Sequence, residues 1–86
     1  MKEVNLNFKF KGLDGKELEQ NAGALLSNLL SNSNTKTPVK FWEWAKEFHN
    51  GQSLKMATDD LKLLKDFVND SEQLTALAKA QIIEKL

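Results

Sequence analysis

Eighty-six residues, 41% hydrophobic and 28% charged, specify one ordinary globular domain and exclude a disordered chain. Twelve lysines balance twelve carboxylates with no arginine, and the net charge of zero lacks the footprint of a nucleic-acid binder or of an acidic DNA mimic. The absence of cysteine excludes a disulfide scaffold, a zinc ribbon and a thiol nucleophile together.

Val4, Leu6, Phe8 and Phe10 alternate with Asn5, Asn7, Lys9 and Lys11. A period of two puts the apolar set on one face of a half-buried strand. Gly12-Leu13-Asp14-Gly15 then predicts a tight hairpin turn with positive φ at the Asp-Gly pair, and Lys16–Gln20 returns as a second strand carrying Leu18. A two-stranded hairpin is marginal in water, so its apolar face needs a support that the following helices provide.

Asn21 predicts the cap of a first helix with Ala22, Leu25, Leu26, Leu29 and Leu30 at helical spacing. Gly23 weakens that first turn by about 1 kcal/mol relative to alanine. Ser31-Asn32-Ser33-Asn34-Thr35 ends the helix, because short polar side chains bond their own backbone. Thr37-Pro38 predicts a new start, threonine as cap and proline at the first helical position, and Asn50-Gly51 a stop. Phe41, Trp44, Ala45 and Phe48 share one stripe of this second helix. Gln52–Ala57 reads as a connector with Leu54 and Met56 turned inward. Thr58-Asp59-Asp60 opens a third helix with carboxylates where the dipole favours them, and Leu61, Leu63, Leu64, Phe67 and Val68 form its inner face. Asp70 and Gln73 read as a capping box for a last helix that turns Leu74, Leu77, Ala78, Ile82 and Leu86 inward.

The expected fold is α+β: a β-hairpin over residues 1–20 packed on about four short helices over 21–86, one domain in all. A domain of this length buries only about 60–65% of its unfolded surface, so its core must be tightly packed or extended by a partner chain. No stretch reaches the roughly 18–20 apolar residues of a membrane span, and Met1–Phe10 lacks the apolar run of a signal peptide, so a cytoplasmic location is expected.

Few residues suit chemistry. His49 is the one side chain whose ordinary pKa serves proton transfer near neutrality. It has no nucleophile or metal partner at motif spacing, and a place at a helix end explains it as a cap that complements the dipole. Asp59 and Asp60 are adjacent, hence about 100° apart on a helix, and serve capping better than paired acid catalysis. Gly12, Gly15 and Gly23 lack the Lys-Ser or Lys-Thr of a phosphate loop. Lys9 and Lys11 make a short basic strip that reads as a solvated strand edge. No catalytic residue, metal ligand or cofactor is expected.

The informative cluster is Phe41-Trp42-Glu43-Trp44 with Lys46 and His49. Trp44 belongs to the apolar stripe. Trp42 lies round the helix from it, beside Lys46 at i+4 and His49 at i+7. An aromatic next to a cation and an imidazole on a helix rim suits a binding anchor, and the competing reading packs Trp42 beneath the hairpin or the Ser-Asn loop. Ala76, Ala80 and Ile83 form a second, weaker stripe on the last helix. With a free edge on the first strand, it allows self-association.

Several segments together resemble small phage and prophage proteins. They are Leu13-Asp14-Gly15, Asn21-Ala22-Gly23 with Leu25-Leu26 and Leu29-Leu30, Lys40-Phe41-Trp42-Glu43-Trp44-Ala45, His49-Asn50-Gly51, and Leu74-Thr75-Ala76-Leu77-Ala78-Lys79-Ala80-Gln81. The resemblance implies a virus-encoded accessory or assembly factor in the cytoplasm of a bacterial host. The expected function is therefore a non-enzymatic protein-interaction module, tail-assembly chaperone-like or an inhibitor of a host defence component. Its candidate partner-binding residues are Trp42, Lys46 and His49. The alternative is a protein that binds a small ligand or nucleotide signal, which needs lysines converging near Trp42 or His49.

Overall fold

A computed structural model describes residues 1–86. The elements in order are β1 (Lys2–Val4), β2 (Lys9–Lys11), β3 (Glu17–Asn21), α1 (Ala22–Ser31), α2 (Pro38–His49), β4 (Leu54–Met56), α3 (Thr58–Asp70) and α4 (Ala76–Ile83). The fold is α+β, with a hairpin near the N-terminus and four short helices. The molecule measures 37 × 25 × 21 Å.

The alternating segment Val4–Lys11 is not one strand. β1 pairs antiparallel with β4, Lys2 opposite Met56 and Val4 opposite Leu54, whereas β2 pairs antiparallel with β3. Both pairings lie within the chain. The break falls at Asn5–Phe8 for two reasons. Asn5 Oδ1 accepts the Asn7 amide at 2.8 Å, and the Phe8 amide turns back to the Leu6 carbonyl at 2.9 Å, a γ-turn about Asn7. Asparagine offers the backbone such local bonds and is a poor strand residue, so the polar half of the alternation carried the interruption.

The break also serves α1. The helix's first amides need partners outside the helix. Ala22 donates to the Phe8 carbonyl at 2.8 Å, Gly23 to the Leu6 carbonyl at 2.9 Å, and Ala24 to Asn21 Oδ1 at 3.1 Å. Gly23 is therefore functional to the fold: a Cβ there would stand 2.7 Å from the Phe48 carbonyl oxygen and 3.1 Å from that of Leu6.

Four further details differ from the sequence expectations. The hairpin turn holds positive φ only at Gly15 (+80°), with the Gly15 amide on the Gly12 carbonyl, so its loop is the three residues Leu13–Gly15 closing on a left-handed glycine. Asp14 stays at negative φ because its carboxylate accepts the Lys16 amide at 3.0 Å across the turn. Thr37 makes no side-chain cap for α2; its hydroxyl lies 3.2 Å from that of Thr35 instead. Asp70 closes α3 rather than opening α4, whose cap is Thr75, accepting the Ala78 amide at 3.3 Å. The connector 52–57 contains β4, a strand whose three residues are too few to show a period.

Other ends are as expected. α2 closes in a Schellman arrangement with Gly51 at φ +71°: the Gly51 amide bonds the Phe48 carbonyl and the Gln52 amide that of Glu47. The side chains of Ser31, Asn32 and Ser33 take the Asn28 and Leu30 carbonyls at the end of α1.

One core of 17 buried apolar residues draws on every helix and on the β1, β2 and β4 segments, with Phe10, Leu26, Phe48, Leu64 and Ile82 among its most enclosed members. The Phe41 ring stacks on Trp44 at 5.4 Å and meets Phe67 edge-on at 5.2 Å, joining α2 to α3. No buried side-chain polar atom lacks a hydrogen-bond partner.

Candidate functional site

α2 carries two tryptophans in different environments. Its buried stripe is Phe41, Trp44, Ala45 and Phe48, the set that helical spacing selects. Trp44 is 5% exposed and Trp42, about 200° away round the axis, is 55% exposed. Val39, one turn earlier on the same side, is 73% exposed. Pro38 at the first helical position fixes where that face begins.

Trp42, Ala45, Lys46 and His49 line one wall of a shallow groove between α1 and α2, and Ser27, Asn28 and Ser31 of α1 line the other. The groove encloses about 200 Å³. Trp42 separates it from a second depression of about 230 Å³ that runs toward Pro38 along Leu30, Ser33 and Thr35. The indole is thus a ridge between two hollows, neither tucked under the hairpin nor covered by the Ser-Asn loop.

The three residues singled out in the sequence meet in this groove. Lys46 reaches back to Glu43 at 3.3 Å, an exposed i,i+3 pair. His49, the last residue of α2, is exposed, and the adjacent carbonyls are met by the Asn50, Gly51 and Gln52 amides rather than by its ring. It shares the last turn of α2 with Lys46.

α1's contribution had little signal in the sequence. Ser27, Asn28 and Ser31 sit at i, i+1 and i+4 opposite its leucines, which reads as a plain solvated face. Ser27 is nonetheless buried, its hydroxyl donating to the Ala24 carbonyl at 2.9 Å. It forms part of the groove's α1 wall.

The other candidates lie apart. Asp59 and Asp60 occupy the first turn of α3, and Asp60 accepts Lys40 Nζ at 2.7 Å. No three His, Asp or Glu side chains converge to hold a metal ion. No helix is long and apolar enough to cross a membrane. On α4, Ala76 and Ala80 are exposed while Ile83 is half-buried against the core. The chain matches no family model, no curated protein and no solved structure.

Proposed function

We infer that the chain is a non-enzymatic interaction module that binds another protein through the Trp42 face of α2. The observation that carries this reading is a tryptophan more than half exposed in a molecule whose other large aromatics are buried or half-buried. Covering an indole supplies much of the affinity of a typical contact, and hot spots are rich in tryptophan. Val39 extends the apolar patch along the helix, and Lys46 and His49 form its polar rim. The mechanism is occlusion: the partner's surface seats on the indole and is shielded from other molecules.

The resemblance to phage proteins supports an accessory role in a bacterial cytoplasm, either as a chaperone-like assembly factor or as an inhibitor of a host defence component. The nucleotide-signal alternative needs several cations around one hollow. A single lysine, already paired with Glu43, lines this groove, and its volume falls below the roughly 300–1,000 Å³ of a usual ligand pocket.

The test uses the full chain as bait in cells of its own organism, beside Trp42→Ala and, as a surface control, Leu13→Ala. A stoichiometric partner retained by the wild type and by Leu13→Ala but lost by Trp42→Ala, with circular dichroism unchanged, is the expected result. Retention by Trp42→Ala refutes the assignment. A thermal-shift screen against nucleotides addresses the rival reading, since tight binding raises apparent stability by mass action.

A further inference from the structure

The two edges of the β2–β3 hairpin are treated differently. β2's outer edge is closed by α4: the Gln81 side-chain amide accepts the Lys11 N–H at 2.8 Å and donates to the Lys11 carbonyl at 2.7 Å, as a neighbouring strand would. β3's outer edge has no such cover. The sheet ends there, and Glu17, Leu18, Glu19 and Gln20 are all exposed.

β3 also carries more backbone bonding capacity than β2 can use. Between the pairs Lys9–Asn21 and Lys11–Glu17, β2 contributes only Phe10, while β3 contributes Leu18, Glu19 and Gln20. No turn, loop or cap hydrogen bond takes up the surplus amides and carbonyls. They belong to exposed residues on the longest strand of the molecule. An edge of this kind is a template for a further strand.

Charge selects the occupant. Glu17 and Glu19 are both exposed on this edge, flanking Leu18 in the irregular stretch that faces Phe10. Neither belongs to an ion pair; the two ion pairs present are Lys40–Asp60 and Lys46–Glu43. Lys11 stands opposite Glu17 on the inner side without closing to ion-pair distance, so that side already accepts a Lys-Phe-Lys strand. A second copy of β3 is a poor partner: pairing centred on Glu19 sets that carboxylate against its copy, and pairing centred on Leu18 sets Glu17 against Glu19. Like charges directly opposite destabilise a ladder, and opposite charges stabilise it. Leu18, 42% exposed, offers apolar surface on the same edge.

We propose that the outer edge of β3 binds an extended segment of another protein in which lysine or arginine alternates with apolar residues. The segment adds as a third strand, its cations against Glu17 and Glu19 and an apolar side chain against Leu18. This surface is separate from the Trp42 groove, so either assignment stands or falls without the other.

The probe is an acetylated, amidated peptide, Thr-Lys-Val-Lys-Val-Lys-Thr, titrated into the ¹⁵N-labelled full chain. Amide shifts concentrated on Glu17–Asn21, with slowed hydrogen exchange in that strand, are expected. The same peptide N-methylated at alternate residues keeps its charge but loses its backbone donors, and its binding is expected to vanish. The double variant E17K/E19K weakens the basic peptide by about tenfold, as two attractive cross-strand pairs become repulsive, and gains affinity for the Thr-Glu-Val-Glu-Val-Glu-Thr peptide. E17Q/E19Q, which preserves size, gives a smaller loss in the same direction. Equal binding of the N-methylated peptide reduces the effect to non-specific charge attraction and overturns the proposal. So do shifts centred outside β3, or none at millimolar peptide.

Discussion

Replacing Gly23 by alanine sets two effects of known sign against each other. Within a helix the substitution removes backbone entropy from the unfolded chain and is worth up to about 1 kcal/mol in favour of alanine. Here the new Cβ meets the Phe48 carbonyl oxygen at 2.7 Å, the Leu6 carbonyl oxygen at 3.1 Å and Asn21 Oδ1 at 3.2 Å. The first two are backbone atoms. One belongs to the last turn of α2, and the other accepts the Gly23 amide itself at 2.9 Å. Neither can swing aside as a side-chain tip does, so α1 must move away from α2 or give up its bond to Leu6. Overpacking costs about 1–3 kcal/mol, and contact with two immobile backbone oxygens belongs to the upper part of that range, about 2–3 kcal/mol, which leaves a net destabilisation of about 1–2 kcal/mol after the propensity gain. For a domain of this size that lowers Tm by about 5–15 °C. Urea unfolding followed by tryptophan fluorescence, which reports the buried Trp44, measures it directly. Ala24→Gly, one residue on and exposed, is the control, with a loss of at most about 1 kcal/mol. A Gly23→Ala protein as stable as the wild type would refute the close approach of α1, α2 and the Leu6 turn.

Trp44→Ala, which empties a buried site stacked on Phe41, is expected to cost about 3–5 kcal/mol, whereas Trp42→Ala costs under about 1 kcal/mol; thermal melts of the two separate core from surface. Asn21→Ala removes a cap bonded to the Ala24 amide and costs about 1 kcal/mol, while Thr37→Ala, with no cap to lose, changes stability by less than about 0.5 kcal/mol in the same urea assay. Gln81→Ala breaks both bonds to Lys11 and costs about 1–2 kcal/mol. Faster hydrogen exchange at the Lys11 amide checks it, and unchanged exchange there would show that the hairpin edge does not depend on α4.

Helices and their buried faces were legible from residue order, because an amphipathic helix repeats its apolar residues over a dozen positions and its ends carry local chemistry. Asn21 caps α1, Asn50-Gly51 closes α2, and Phe41, Trp44, Ala45 and Phe48 are buried together, each a consequence of neighbours within four residues. The same periodicity set Trp42 outside the stripe. Its company with Lys46 and His49 is a matter of i+4 and i+7 spacing on one helix.

What spacing along one element could not reveal was pairing between elements. Val4–Lys11 alternates as one strand, and its apolar residues do point inward. Yet β1 turns to β4 some fifty residues on, while the Asn5–Phe8 segment leaves the ladder to satisfy the amides of α1. Likewise Gly23 looks like a weak helix residue until Phe48 and Leu6 are seen against it, and Gln81 like a solvated one until it meets Lys11. Local hydrogen bonds and periodic burial are encoded over a few residues, so the sequence alone determined the helices, the Asn21 cap and Asn50-Gly51 stop, and the buried stripe of α2. Which backbone groups remain unsatisfied, and which distant segment answers them, depends on how the elements pack. Only the tertiary structure decided the split strand, the close approach at Gly23, the α1 wall of the groove and the open edge of β3.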